Sequence, residues 1–245
     1  MGRILSNDRL SEDLFLLRAE ACGGEEETAA VKAGQFYMLR GWDEYPLLSR
    51  PISVYDAQDG VLSFFYKAAG RGTRIISGLE KGAGIGLAGP YGQGFPVDAA
   101  GRCALVGGGV GIAPMHLLAK QLTEAPDIFL GFSGEPLLTD EFNALSPKVT
   151  IDIGGYITDT VDPAQYDVIM ACGPEPMLRA MYRRVREACQ DGRRPKVYVS
   201  MEKRMGCGIG ICKVCTCQTQ DGPRTVCKDG PVFDAEVLFG GEAAS

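Results

Sequence analysis

The first third of the chain alternates short apolar runs with polar or glycine-rich punctuation. Leu14-Phe15-Leu16-Leu17, Gln35-Phe36-Tyr37-Met38-Leu39 and Leu62-Ser63-Phe64-Phe65-Tyr66 are β-prone, and turn-forming stretches such as Cys22-Gly23-Gly24 and Asp59-Gly60 lie between them. Many short strands at this spacing, from Arg3 to about Val97, predict a small antiparallel β-barrel. Gly82 to Gly94, dense in glycine and carrying Pro90, is too punctuated for a helix. Near residue 102 the texture changes. Arg102 to Val106 reads as a buried strand, Gly107-Gly108-Gly109-Val110-Gly111 as a loop, and Ala113 to Leu122 as a helix with Pro114 in its first turn. Ile128 to Phe132 and Asp167 to Ala171 read as further strands. A helix follows from about Met177 to Gln190, with basic residues in its later turns and Gly192 as its stop. Strands alternating with helices predict a parallel-sheet α/β layer. Lys196 to Met201 reads as a last strand leading into a cysteine-rich tail, which is thereby tied to the sheet edge. The expected division is 1–98, 99–200 and 201–245, with Gly240 to Ser245 disordered.

Composition narrows the class. The chain has 245 residues, 45% hydrophobic and 23% charged, with a net charge of −6. That balance suits a globular protein with a core and disfavours nucleic acid or an anionic membrane as partner. No run approaches the roughly 20 apolar residues of a membrane-spanning helix, and Met1 to Arg9 has no apolar signal core. A cytoplasmic location is expected, so the nine cysteines read as free thiols or metal ligands rather than disulfides. The single histidine, His116, rules out two-histidine zinc protease motifs and has no nucleophile elbow beside it. It reads as structural.

The tail carries the strongest chemical signal. Cys207, Cys212, Cys215 and Cys227 have the spacing C-x4-C-x2-C-x11-C, associated with plant-type [2Fe–2S] centres. Thiolates suit iron, and Gly206, Gly208 and Gly210 allow backbone N–H groups to turn toward the sulfurs. Zinc is the competing reading, although its sites usually use two short chelating pairs rather than three ligands in one loop. Cys217 is surplus, either a spectator thiol or an alternative ligand.

Two further groups suggest dinucleotides. In Arg50-Pro51-Ile52-Ser53 the arginine suits a pyrophosphate and the serine a flavin ring. Phe65-Tyr66-Lys67 adds aromatic rings and a cation. Gly70-Arg71-Gly72-Thr73 offers amides and a hydroxyl, or is simply a surface turn. Gly107 to Pro114, with Gly108, Gly109 and Gly111, lies between strand and helix, where amides bind phosphate. Cys172-Gly173-Pro174 occupies the equivalent place after a later strand, so both loops fall at carboxyl ends of parallel strands, where α/β sheets bind ligands. The end of the second α/β strand, Gly131-Phe132-Ser133-Gly134-Glu135-Pro136, lacks Arg and Lys. This predicts NAD(H) over NADP(H), with Glu135 facing ribose or merely solvated.

In this order the features resemble the ferredoxin–NADP reductase superfamily, a flavin-binding barrel followed by a nicotinamide-binding α/β domain. Most of those reductases have an aromatic residue where Ile52 stands. Arg-Pro-Ile-Ser, Gly89-Pro90-Tyr91-Gly92-Gln93-Gly94-Phe95, Glu202 to Gly208 and Cys227 to Phe233 are together similar to the electron-transfer subunits of type B dihydroorotate dehydrogenases. The resemblance implies FAD at Arg50 to Ser53, Phe65 to Lys67, and Gly72-Thr73. It implies cluster ligation by Cys207, Cys212, Cys215 and Cys227. It also implies a partner holding FMN, with two copies of each subunit, and electron flow from dihydroorotate to NAD+. Hydride transfer needs no side-chain acid or base here, so no catalytic residue is expected. The alternative is an electron-entry subunit of a sulfide dehydrogenase, sulfhydrogenase or ferredoxin-dependent transhydrogenase.

Overall fold

The computed structural model describes residues 1–188 and 194–241. The expected helix end at Gln190 and Gly192, and residues 242–245, lie outside that range.

The N-terminal section is a seven-stranded antiparallel sheet. Its strands are β1 (Gly2–Arg9), β2 (Leu14–Glu20), β3 (Phe36–Arg40), β4 (Arg50–Ser53), β5 (Asp56–Gln58), β6 (Val61–Lys67) and β7 (Gly84–Tyr91). They pair in the order β4-β3-β7-β1-β2-β6-β5, and the sheet curls until β4 packs against β6. Leu16, Leu17, Tyr37, Leu39, Leu62 and Phe64 fill its interior. Two short helices, α1 (Gly24–Ala30) and α2 (Arg71–Ser77), stand where the sequence suggested turns. Glycine-rich Gly84–Tyr91 forms a strand because ladder hydrogen bonds to β1 and β3 hold a backbone with little strand propensity.

The second section has a six-stranded sheet, in the order β10-β9-β8-β11-β12-β15. Five strands are parallel: β8 (Cys103–Gly108), β9 (Asp127–Phe132), β10 (Val149–Ile153), β11 (Val168–Cys172) and β12 (Lys196–Ser200). Helices α3 (Ala113–Gln121), α4 (Thr139–Asn143) and α5 (Glu175–Ala188) connect them. From β8 the chain crosses to β9 on one side, while β11 pairs β8 on the other. The carboxyl ends of β8 and β11 therefore form a topological switch point, where such sheets open a ligand crevice.

The tail adds the ribbon β13 (Thr216–Thr219) and β14 (Gly222–Thr225), helix α6 (Val226–Asp229), strand β15 (Val232–Asp234) and helix α7 (Ala235–Phe239). Because β15 pairs antiparallel with β12, the cysteine-rich segment is anchored at both ends to one sheet.

Barrel and α/β layer share an apolar core running from Ile4 through Leu105 to Val232. His116 sits in this junction, 6% exposed. Its ring stacks on Tyr55 with centroids 4.3 Å apart and meets Phe142 edge-on at 5.6 Å. The Tyr55 hydroxyl donates to Glu141 at 2.6 Å. Burial holds the imidazole below its ordinary pKa, so it is neutral at pH 7. It joins the two sections.

Candidate functional site

Strands β4 and β6 are far apart in the hydrogen-bonded order, yet the curl of the sheet brings them to one cleft of about 240 Å³. Pro51, Ile52, Ser53, Phe65, Tyr66 and Lys67 line it. Val110 and Ala113 close it from the α/β layer, and Ser200 to Lys203 with Met205 close it from the tail. Tyr66 is only partly available. Its ring stacks on Phe15 at 5.7 Å and its hydroxyl donates to Asn7 at 3.1 Å. The Lys67 ammonium pairs with Asp13 at 3.0 Å.

Arg50 leaves β4 toward the first turn of α2. A Cβ built on Gly72 would lie 2.6 Å from Arg50 Nε and 2.8 Å from Cζ, so the guanidinium rests directly against the bare backbone of α2 and a larger residue would push it aside. The Thr73 hydroxyl is engaged locally, accepting from the Gly70 amide and donating to its carbonyl, each at 3.0 Å. Arg50, Gly72 and Thr73 are thus brought together, with Arg50 supplying the free charge.

A second cleft, of about 550 Å³, opens at the carboxyl ends of the parallel strands. Gly108, Gly109 and Pro174 line it as the sequence suggested. Gly111, Cys172 and Gly173 have another role: they are where the two loops touch. A Cβ on Gly111 would stand 2.3 Å from the Cys172 carbonyl oxygen and 2.7 Å from Gly173 Cα. Burial pushes the Cys172 thiol up to about 12, helped by the Glu202 carboxylate, so it stays uncharged. Met177, at the end of the same predicted loop, lines it too, whereas sequence reasoning missed Gly154, Gly155, Tyr156 and Arg183. Glu135 is exposed and is not among the lining residues. The end of β9 lacks a cation, as read, but α5 brings Arg183 to the same cleft, so an absent cation does not explain a preference for NAD(H).

The loop Gly108–Ala113 separates the two clefts, with Gly108 and Gly109 facing one and Val110 and Ala113 the other. Beyond the first cleft, a few residues past Met205, the cysteine loop begins.

The four cysteines form two pairs. Amide N–H groups of Ile209 and Cys212 donate to the Cys207 sulfur at 3.5 and 3.4 Å. Those of Gly210 and Cys227 donate to the sulfurs of Cys227 and Cys215, at 3.1 and 3.4 Å. The Cys207 side chain has that of Cys212 as its near neighbour, and Cys227 has that of Cys215. Gly208 and Gly210 have φ of 77° and 83°, the turn that aims these amides inward. Among the described residues no three His, Cys, Asp or Glu groups converge as the ligands of a single ion. The two-plus-two arrangement fits a two-iron cluster, with two thiolates per iron and N–H donors on the sulfurs. A single zinc ion would need all four around one point.

The environment differs between the pairs. Amide donors, first those of Cys212 and Ile209, pull the half-buried Cys207 thiol down to about 6. Burial, then the Cys215 thiol, pushes Cys227 up to about 12. Cys217 lies on the buried face of β13, where burial raises its thiol.

Residues 202–239 match the family model described as the iron-sulfur cluster binding domain of dihydroorotate dehydrogenase B. The chain is 43% identical over 240 residues to the Clostridium acetobutylicum "Dihydroorotate dehydrogenase B (NAD(+)), electron transfer subunit", covering 94% of this chain and 93% of that one. It is 36% identical to the Clostridium perfringens protein of the same description, covering 97% of each. Among solved structures, an NADH-dependent reduced ferredoxin–NADP oxidoreductase superposes with a TM-score of 0.85 over 97% of this chain and 89% of that one, at 24% identity. A ferredoxin NADP+ reductase from Neisseria gonorrhoeae with bound FAD and NADP superposes with a TM-score of 0.63 over 81% and 96%, at 17% identity. These likenesses establish the fold, an antiparallel barrel followed by a parallel-sheet α/β layer.

Proposed function

The chain belongs to the family of dihydroorotate dehydrogenase B (NAD+) electron transfer subunits, and on that premise we propose that it links a partner's FMN to NAD+ through its own [2Fe–2S] cluster and FAD. The observation that carries this reading is the continuity of the three sites: a loop shared by both clefts, and a flavin cleft closed by the residues that enter the cysteine loop. We assign 1–98 to FAD, 99–200 to NAD and 201–245 to the cluster.

Arg50 to Ser53, Phe65 to Lys67 and Gly72-Thr73 would hold FAD. Gly108, Gly109, Gly111 and Cys172 to Pro174 would hold NAD or shape its loops. Cys207, Cys212, Cys215 and Cys227 would ligate the cluster. When bound, flavin matches nicotinamide, which exchanges only hydride, to a cluster that carries one electron at a time. The chain's own residues orient and shield. Buried Gly111 and Cys172 lock the two loops at the switch point. The Cys172 thiol, uncharged at pH 7, places no charge in that loop contact. No side chain is required as acid or base.

The partner we propose is an FMN-containing dihydroorotate dehydrogenase catalytic subunit, with two copies of each chain in the complex. The description of the relatives as electron transfer subunits supports it. So does the apolar rim of the cysteine loop, Ile209, Ile211 and Val214, of which Ile211 is 75% exposed. No helix among the described residues is long and apolar enough to cross a membrane, and the free thiols suit the cytoplasm.

The purified chain should contain FAD, iron and acid-labile sulfide, and should oxidise NADH with an artificial acceptor. It should leave dihydroorotate untouched, because the single barrel among the described residues is the one proposed for FAD. Oxidation of dihydroorotate by the chain alone would contradict the assignment. Arg50→Ala should weaken FAD by about 1.5–3 kcal/mol, the value of a hydrogen bond to a charged group, with little change in Tm. Full flavin retention after gel filtration at low concentration would remove Arg50 from the site.

A further inference from the structure

The loop between β3 and β4, residues 41–49, is built with more hydrogen bonds than a connector needs. The Arg40 guanidinium donates to the carbonyls of Trp42 at 3.0 Å, Asp43 at 2.6 Å, Glu44 at 3.2 Å and Leu47 at 2.7 Å. The Trp42 indole N–H donates to the Pro46 carbonyl. The half-buried indole is thereby tied to the loop's own backbone. Two guanidinium groups lie against it, Arg40 and Arg50, each 5.5 Å from the ring centroid.

Arg50 is held from three directions. The indole face supports it, the carbonyls of Leu48 and Ser49 accept from its Nη1, and the bare backbone of Gly72 lets it lie against α2. The Trp42 ring edge reaches the same spot, 2.9 Å from where a Gly72 Cβ would be. A free arginine samples many rotamers and loses that entropy on binding an anion. One held over an aromatic face has already lost it.

We propose that Trp42 is a positioning residue for the flavin dinucleotide: it pre-orients the Arg50 guanidinium toward the diphosphate. The inference rests on the assignment of Arg50 to FAD and adds the reason that Arg50 is effective there. Trp42 acts through Arg50, so its contribution exists only while the arginine does.

The test is a double-mutant cycle on FAD affinity, measured by equilibrium dialysis of the full-length protein with FAD. Arg50→Ala raises the dissociation constant about 10- to 100-fold. Trp42→Ala raises it about 5- to 20-fold, and Trp42→Phe, which keeps an aromatic face, stays within about threefold. In the Arg50→Ala background, Trp42→Ala changes affinity less than about twofold. A ligand-free readout accompanies it, because Trp42 is the single tryptophan of the chain: Arg50→Ala shifts its emission in FAD-free protein. Equal losses from Trp42→Ala in both backgrounds, or none in either, overturn the inference alone. If Arg50→Ala leaves FAD affinity unchanged, the assignment of Arg50 falls and the inference falls with it. Trp42→Phe remains informative should the alanine variant misfold, since a loss equal to that of Arg50→Ala would also count against the proposal.

Discussion

Serine at Cys207, Cys212, Cys215 or Cys227 is expected to abolish the cluster in each single variant, whereas serine at Cys217 is expected to leave iron and acid-labile sulfide near wild-type levels. In the proposed ligation each iron would have two thiolates, so one replacement would strip half of one iron's protein ligands. Serine is a harder ligand with a far higher pKa, and it does not restore that bond. The four variants should still differ in stability. Cys212 is exposed, while Cys215 and Cys227 are buried in the layer that packs the tail against β12. Loss at the buried pair should therefore loosen the tail, seen as a lower Tm, more than loss of Cys212. Cys217→Ser places a hydroxyl in an apolar layer and should cost about 1–3 kcal/mol if that hydroxyl stays unpaired, with the visible spectrum unchanged. Iron loss in Cys217→Ser together with retention in any of the other four would identify a different ligand set.

Gly111→Ala should damage NADH oxidation more than any other single methyl group added to the α/β layer loops. The new Cβ meets the Cys172 carbonyl oxygen at 2.3 Å, its carbon at 2.5 Å and Gly173 Cα at 2.7 Å. All three are backbone atoms, so no rotamer change relieves the contact, and the loops after β8 and β11 must separate. Overpacking of this kind costs about 1–3 kcal/mol, or a Tm fall of about 2–10 °C for a chain of this size. A displacement approaching 1 Å between loops that position a hydride donor costs about 100-fold in rate. Gly134→Ala is the control, because nothing lies within 4 Å of its Cβ and its φ is ordinary. Wild-type NADH kinetics and Tm in Gly111→Ala would show that the loops do not need this contact.

The parts of this site that were legible in the sequence are those written in local patterns. The cysteine spacing, the tetrapeptide from Arg50 to Ser53 and the glycine loops after β8 and β11 each occupy a few consecutive residues. The change from strand runs to strand–helix alternation near residue 102 was equally visible. The rest depends on tertiary placement. Gly84–Tyr91 becomes a strand only because β1 and β3 flank it. Helices α1 and α2 are seven residues each, one starting at Gly24 and the other just after Gly70, too short for a period to show. Strand β10 does alternate, but as an edge strand it leaves Ile151 and Ile153 exposed, so its apolar positions do not mark a buried face. Arg183 reaches the cleft proposed for NAD through the phase of α5, which puts Pro176, Ala180 and Arg183 on one face. Only the fold reveals it, and it adds a cation to a cleft whose β9 end has none. The ring of Trp42 beneath Arg50 is likewise a contact that no spacing rule encodes.

The most direct test of the account is to co-express the chain with an FMN-containing dihydroorotate dehydrogenase subunit, purify the complex, and follow NAD+ reduction at the expense of dihydroorotate. The account predicts a stable complex with that activity, lost when any one of Cys207, Cys212, Cys215 or Cys227 is serine while NADH oxidation with artificial acceptors persists. A complex that is inactive with dihydroorotate and NAD+ but reduces polysulfide or ferredoxin with NADH, or a chain that forms no complex, would contradict it.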